Sequence, residues 1–395
     1  MTINSLVRPS NPMAIYRVSG AQPSQTLTSK INMNRTILLN PGPVTLSDRV
    51  RRALLQPDLC HREPEFAELA LDIKARLAKV YPAAAEDYDA ILLTGSGTCA
   101  VEAMLSTLVP QDGKALVVTN GVYGERMAAM IKAHGKSLEV VTAPWHEPMN
   151  LKEVETCLTQ DSAITHVIAV HHETTTGRLN DVAQLGQLCQ RYNVALLLDS
   201  VSSFGAEAIE FAPWNLEACA ATANKCLHGV PGLSFVLVKR SIFETRPSAA
   251  GSVYLDLYPY HQEQARGYSP FTQAVQVAYG LQEALKEMED MGGQTARHSS
   301  YTQRAQQILQ TLQNLGIKPL LDVEDYSCIL TSFKLPPGYS YEQIHDTLKE
   351  SGFVIYAGQG GFKNQIFRIA NMGDIQPSDL DRLVDCFHVL FKHSG

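Results

Sequence analysis

Lys225 lies in the stretch Ala223-Asn224-Lys225-Cys226-Leu227-His228-Gly229-Val230-Pro231-Gly232, downstream of an apolar run that ends in Asp199. A lysine amine can hold an aldehyde as a Schiff base. A carboxylate can keep a pyridine nitrogen protonated, so that the ring draws electrons from a carbon bonded to it; the two together are what pyridoxal phosphate chemistry requires. For that work Lys225 must be partly desolvated, which lowers its pKa toward the neutral amine. Asn224 before it and Gly229, Pro231 and Gly232 after it place it on a close-held loop, not on a solvated helix face. Asp199, at the end of a fully apolar strand, is buried and needs a partner. A pyridinium N–H fits, and so does the first turn of a following helix.

Other residues could complete such a site. Gly95-Ser96-Gly97-Thr98 closes one strand and opens a helix, where small residues and unpaired amides suit a phosphate; a plain tight turn with a helix cap has the same composition. No Lys-Ser/Thr follows at Walker A spacing. Thr174-Thr175-Thr176 offers hydroxyls to a ring oxygen or forms a polar turn, and Tyr123 could stack on a pyridine ring or sit in the core. Arg368, flanked by apolar residues in Ile366–Ala370, needs either a ligand's acid group or an internal carboxylate. His171-His172-Glu173 does not read as a metal site, because adjacent strand residues face opposite ways. No metal is expected.

The elements that must position these residues alternate between short apolar runs and helical stretches. Strands at Ala90–Thr94, Ala115–Thr119, Ile164–Val170, Val194–Leu198 and Leu233–Val238 are predicted, with helices at Cys99–Leu108 and Glu125–Ala133. Apolar strands separated by helices indicate a parallel sheet covered on both faces, with ligands beyond the carboxyl ends of the strands. A long helix, Ala274–Asp290, ends at Gly292-Gly293. Beyond it the pattern predicts a compact α+β unit, with helices Arg297–Leu315, Tyr341–Ser351 and Pro377–Phe391 and strands Cys328–Lys334, Phe353–Tyr356 and Ile366–Ala370.

The organisation expected is therefore residues 36–292 as a large domain and 293–395 as a small one, since 395 residues exceed one usual core. Residues 1–35 carry Arg8, Arg17, Lys30 and Arg35 and no acidic residue. They read as a disordered extension, without function or serving as an organelle-targeting segment. A net charge of −7 without a dense basic run argues against nucleic-acid binding. No apolar run reaches the ~18 residues needed to span a bilayer. Eight cysteines without metal-type spacing fit a reduced, cytoplasmic protein.

Taken in order, Leu39–Thr45, Gly95–Thr98 with Val101–Ala103, Asn120–Met127, His172–Gly177, Asp199–Gly205, Asn224-Lys225 with Gly229–Gly232, and Phe367–Ile369 resemble class V aminotransferases. Within that family they are most similar to the 2-aminoethylphosphonate–pyruvate group, with alanine–glyoxylate and serine–pyruvate transaminases as near relatives. The resemblance implies the type I PLP fold: an α/β large domain with a mainly parallel seven-stranded sheet and a smaller C-terminal α+β domain. It implies pyridoxal 5'-phosphate, with Lys225 as the Schiff-base lysine and Asp199 on the pyridine nitrogen. Ser96, Gly97 and Thr98 would hold the phosphate, joined by Thr272 from the other subunit of a homodimer. Tyr123, Thr174, Val201 and Asn224 would also contact the cofactor, and Arg368 would bind the substrate acid group. The implied reaction is ping-pong transamination of an amine donor and a 2-oxo acid; an alanine, serine or glyoxylate transaminase and a PLP-dependent lyase are the alternatives. Ser200 and the segment Pro270–Ala274 depart from the family pattern.

Overall fold

The computed structural model describes residues 35–391; the expected N-terminal extension, residues 1–35, lies outside them but for Arg35. From Thr36 onward the chain forms one compact unit. Its centre is a seven-stranded sheet of β1 (Tyr88–Gly95), β2 (Lys114–Thr119), β3 (Ser137–Thr142), β4 (Ile164–Val170), β5 (Ala195–Asp199), β6 (Leu216–Thr222) and β7 (Gly232–Lys239). The spatial order is β1-β7-β6-β5-β4-β2-β3. All neighbouring pairs are parallel except those made by β7, which runs antiparallel to both β1 and β6.

The central strands are apolar on both sides because both faces are covered: one core contains Leu116, Val167, Leu196, Leu198 and Phe235, and the other Ile91, Val117, Ile168, Leu197 and Val236. Helices α1 (Gly97–Leu108) and α2 (Val122–Ala133) start directly after β1 and β2. This connectivity sends every parallel strand out at the same edge. Gly95, Asn120, His171, Asp199 and Asn224 therefore gather there, with Gly232 opposite Gly95 across the β1–β7 pair.

Helix α3 (Val275–Asp290) runs into Gly292 and Gly293, both at positive φ, and α4 (Gly293–Asn314) starts at once. A three-stranded antiparallel sheet follows, ordered β8 (Leu330–Lys334), β10 (Ile366–Ala370), β9 (Tyr356–Ala357), with α5 (Tyr341–Glu350) and α6 (Pro377–Leu390). A separate apolar core lies here, containing Ile308, Leu312, Phe333, Phe353, Phe367 and Phe387. Ile37 and Leu39 join it. Residues Ile37–Leu38 pair in parallel with Phe353–Val354. The single strand expected over Phe353–Tyr356 is thus split: the chain leaves one pairing at Val354, buries Ile355 and enters β9 at Tyr356. Among the described residues no helix is long and apolar enough to cross a membrane.

Candidate functional site

The β6–β7 loop is closed by His228, whose φ of 66° turns the chain and whose Nε2 accepts from the Gly373 N–H at 2.9 Å. This turn points Lys225 toward the strand-end edge, where its Nζ donates to the Pro41 carbonyl. Gly42, at φ 103°, makes that approach possible: a Cβ there would lie 2.7 Å from Nζ and 2.5 Å from Cδ. Burial pushes the amine down to about 8, with the negative charge of Asp199 opposing and Arg368 adding to the effect.

Asp199 is 7% exposed. Its Oδ1 accepts from the Val201 N–H at 2.9 Å, and its other oxygen has no hydrogen bond among the described residues. Burial raises the carboxyl to about 6, against the Val201 amide and the charges of Arg126 and Lys225. Beside it Ser96 is the N-cap of α1, with its side chain free of the cap. The Cys99 and Ala100 amides donate to the Ser96 carbonyl at 2.9 and 3.4 Å, which leaves those of Gly97 and Thr98 without an acceptor among the described residues. Gly97 packs on Val201: an added Cβ would sit 2.7 Å from Val201 Cγ1. Thr98 Oγ1 accepts weakly from Arg126 Nη1 at 3.5 Å, and the Arg126 guanidinium lies 4.9 Å from the centre of the Tyr123 ring. Asn224 Oδ1 accepts from Thr222 Oγ1 at 2.9 Å.

Arg368 stands in the middle of β10 and is 2% exposed. Its Nε donates to the Ala357 carbonyl at 2.8 Å, and Nη1 to the Thr174 carbonyl at 2.7 Å and Gln359 Oε1 at 3.4 Å. No carboxylate pairs with it among the described residues, so the internal salt bridge left open by the sequence is not formed. Burial lowers its pKa, while Tyr123, Glu173, Tyr341 and Tyr356 oppose that shift. Thr174 contributes its carbonyl here; its hydroxyl has no partner among the described residues. Thr272 stands apart from this group. It is exposed in the loop before α3 and makes no side-chain hydrogen bond among the described residues, although nearby Ala274 N donates to Thr94 Oγ1 at 3.1 Å.

Four residues of the site carried no role in the sequence reading. Gly42 and Pro41 belong to a motif that was visible without a function, and only the positive φ and the lysine contact supply one. Glu173 drew notice only as a poor metal ligand; it is fully buried beside Asp199. Arg126, three residues past Tyr123, could have been found from its helical spacing onto the same ring.

The donor set suits a phosphorylated pyridine aldehyde. Free amides lie at one end, a carboxylate short of a partner and a partly neutral lysine lie in the middle, and a buried cation lies at the other. The absence of a side chain at Gly97 lets Val201 pack over the start of α1, 2.7 Å from where a Cβ would stand. Comparison with known proteins agrees. The family described as aminotransferase class-V matches residues 53–371. The 2-aminoethylphosphonate–pyruvate transaminase of Bacillus cytotoxicus is 39% identical over 354 residues, covering 89% of this chain and 96% of that protein. The Bacillus cereus enzyme of the same description is 38% identical over 362 residues, covering 90% and 98%. Among solved structures, a Thermus thermophilus aspartate aminotransferase of subgroup IV superposes with a TM-score of 0.83 at 25% identity, covering 91% of this chain and 100% of that one. A Nostoc alanine–glyoxylate aminotransferase superposes with a TM-score of 0.84 at 23% identity, covering 94% and 100%.

Proposed function

Because the chain belongs to the class-V aminotransferases and works with pyridoxal 5'-phosphate, we propose that it moves an amino group between 2-aminoethylphosphonate and pyruvate. The products are phosphonoacetaldehyde and alanine, and the site is compatible with either direction. Arg368 carries the reading. It is a buried guanidinium held, among the described residues, by neutral acceptors alone, and such a group is stable chiefly when an acid group arrives to share its charge. A phosphonate and a carboxylate both do so, one in each half of the cycle.

The α1 amides at Gly97 and Thr98, with the Ser96 hydroxyl, are assigned to the cofactor phosphate. Asp199 is assigned to the pyridine nitrogen, Tyr123 and Val201 to the two ring faces, and Thr174 and Asn224 to the ring edge. Bound there, the cofactor supplies the aldehyde that takes up the amino group and the electron sink that makes the donor carbon acidic. Lys225 does the rest of the proton work. With its pKa brought to about 8, Nζ is neutral often enough near neutral pH to accept a proton and return it. The Pro41 carbonyl holds the amine on the side of the Asn40–Pro43 loop while it waits.

A homodimer is supported by Thr272, which is exposed, makes no side-chain hydrogen bond among the described residues and follows Phe271, whose ring lies 5.1 Å from that of the exposed Tyr254; in the dimer it would reach the partner's phosphate site. The division at Gly292 into cofactor-binding and small domains is supported by the separate C-terminal core, to which Ile37 and Leu39 also belong. The test is a spectral screen of the purified holoenzyme. 2-Aminoethylphosphonate should bleach the visible band of the bound cofactor, and pyruvate should restore it with one equivalent of alanine. If alanine, serine or aspartate bleached the band and the phosphonate did not, the substrate assignment would be wrong.

A further inference from the structure

We propose that Glu173 is a positioning residue that ties the start of α2, where Tyr123 sits, to Arg368, and that its charge sets how strongly Arg368 holds the acid group of a 2-oxo acid. The inference rests on the reading of Arg368 as the acid-group site.

Glu173 lies across the first residue before α2. Gly121 leaves it the room: a Cβ on that glycine would fall 2.2 Å from the Glu173 carboxyl carbon. Glu173 Oε1 accepts from the Thr175 N–H at 3.0 Å and from the Thr175 hydroxyl at 2.6 Å. Thr175 Oγ1 in turn accepts from the Val122 N–H at 3.3 Å. The helix that presents Tyr123 is thus capped from outside, through a threonine that the carboxyl holds in place. Thr174, between the two, gives its carbonyl to Arg368. Three consecutive residues therefore set the start of α2 and the guanidinium together. Nothing in the reaction accounts for a carboxyl here, and its Oε2 is buried without a hydrogen-bond partner among the described residues.

The groups that face Glu173 are Asp199 from β5, the backbone N–H of Tyr123 from α2 and Arg368 from β10; its chain neighbour His172 is kept neutral by burial, at about 3. Burial raises the Glu173 carboxyl to about 7, the Thr175 donors oppose that, and the charge of Asp199 adds to it. Below that pH the carboxyl is neutral and the full charge of Arg368 is available to an anion. Above it the carboxylate offsets that charge in an interior where screening is weak. Acid-group affinity should then fall as pH rises through about 7, and anion binding above that pH should draw one proton onto Glu173.

The experiment uses Glu173→Gln, Glu173→Ala and Thr175→Val, with propionate as an unreactive probe of the acid-group site. For the wild-type holoenzyme the inhibition constant of propionate and KM for pyruvate should rise about tenfold between pH 6 and 8, as one unit of protonation linkage allows. In Glu173→Gln that limb should vanish, with kcat moving less than KM. Amide exchange at Val122 and Tyr123, measured on the apoprotein, should stay slow in Glu173→Gln and quicken about tenfold in Thr175→Val and Glu173→Ala, as loss of one hydrogen bond predicts. A Glu173→Gln enzyme that kept the wild-type pH limb would overturn the charge role. Unchanged exchange in Thr175→Val would overturn the tie to α2. Should Glu173→Ala fail to fold, the other two variants decide. A chain that prefers another amine donor but still loses the limb in Glu173→Gln would support this inference while removing the phosphonate.

Discussion

The two edges of the seven-stranded sheet bury charge in opposite ways. At the amino-terminal edge Glu217, at the start of β6, meets His166 Nε2 at 3.2 Å and pairs with Arg246. Asp89, at the start of β1, meets Lys74 Nζ and His261 Nδ1, each at 3.1 Å. Burial pushes both carboxyls up, yet their partners hold them below their ordinary values. At the carboxyl-terminal edge Asp199, Glu173, Lys225 and Arg368 form no ion pair among the described residues. There burial wins: the carboxyls rise to about 6 and 7 and the amine falls to about 8. Closed ion pairs stabilise a fold only weakly, but breaking one is costly; groups left open with shifted pKa values mark a site awaiting a ligand.

Matched substitutions at the two edges should separate these behaviours. Lys225→Ala should lower kcat by a factor of about 10⁴ or more, since the proton-transferring amine is gone. The apoprotein should be no less stable to urea, because a desolvated amine has been removed. Lys74→Ala should do the reverse, costing about 3 kcal/mol of stability by breaking a buried ion pair and leaving Asp89 to His261 alone, while leaving kcat within twofold. Single-turnover rates and urea midpoints check both. A Lys225→Ala enzyme with wild-type turnover would end the proposed mechanism.

The arginines give a second pair. Arg368→Gln should raise KM for pyruvate about 100-fold, near the cost of losing a charge-assisted contact with a desolvated acid group, and should change apoprotein stability by less than about 1 kcal/mol. Arg246→Gln should leave KM alone and destabilise the fold by about 2 kcal/mol, the smaller figure reflecting a partly exposed arginine. If Arg246→Gln also impaired pyruvate binding, the two edges would not act separately.

How much of this was legible differs from place to place for physical reasons. Strands β4, β5 and β7 are rich in Val, Ile, Leu and Phe, and such runs announce themselves. Strand β6, Leu-Glu-Ala-Cys-Ala-Ala-Thr, is equally buried, but alanine has little strand preference and Glu217 interrupts the pattern; its ion pairs lie far away in sequence. Edge strand β3 is half exposed and shows no clean signal either. Helix α4 begins at Gly293, four residues before the predicted Arg297, because its first turn is polar and two positive-φ glycines hide the boundary. In the site, Lys225 and Asp199 stand out since their chemistry is written in residue type and local context. What Arg368 touches could not be read, as its two short hydrogen bonds go to backbone carbonyls supplied by folding. Glu173 was invisible as a site residue for the same reason: its neighbours are a glycine and a threonine hydroxyl, neither of which advertises a carboxyl.

The smallest expected effect tests whether the open edge needs its cover. Gly42 and Gly135 both sit at positive φ, 103° and 66°. Alanine at either should cost about 1 kcal/mol through backbone strain. Gly135 precedes β3 at the amino-terminal edge and has nothing within 4 Å of an added Cβ, whereas the same atom on Gly42 would lie against the aliphatic chain and amine of Lys225. Gly135→Ala should therefore lose stability alone. Gly42→Ala should lose a similar amount and also displace Lys225 from the Pro41 carbonyl, slowing kcat by about tenfold, the order of one misplaced catalytic contact. It should also shift the pH at which the visible band of the bound cofactor titrates. Equal turnover in the two variants would mean that the Asn40–Pro43 loop merely covers the lysine; a loss confined to Gly42→Ala would mean that the loop holds it where the proton must go.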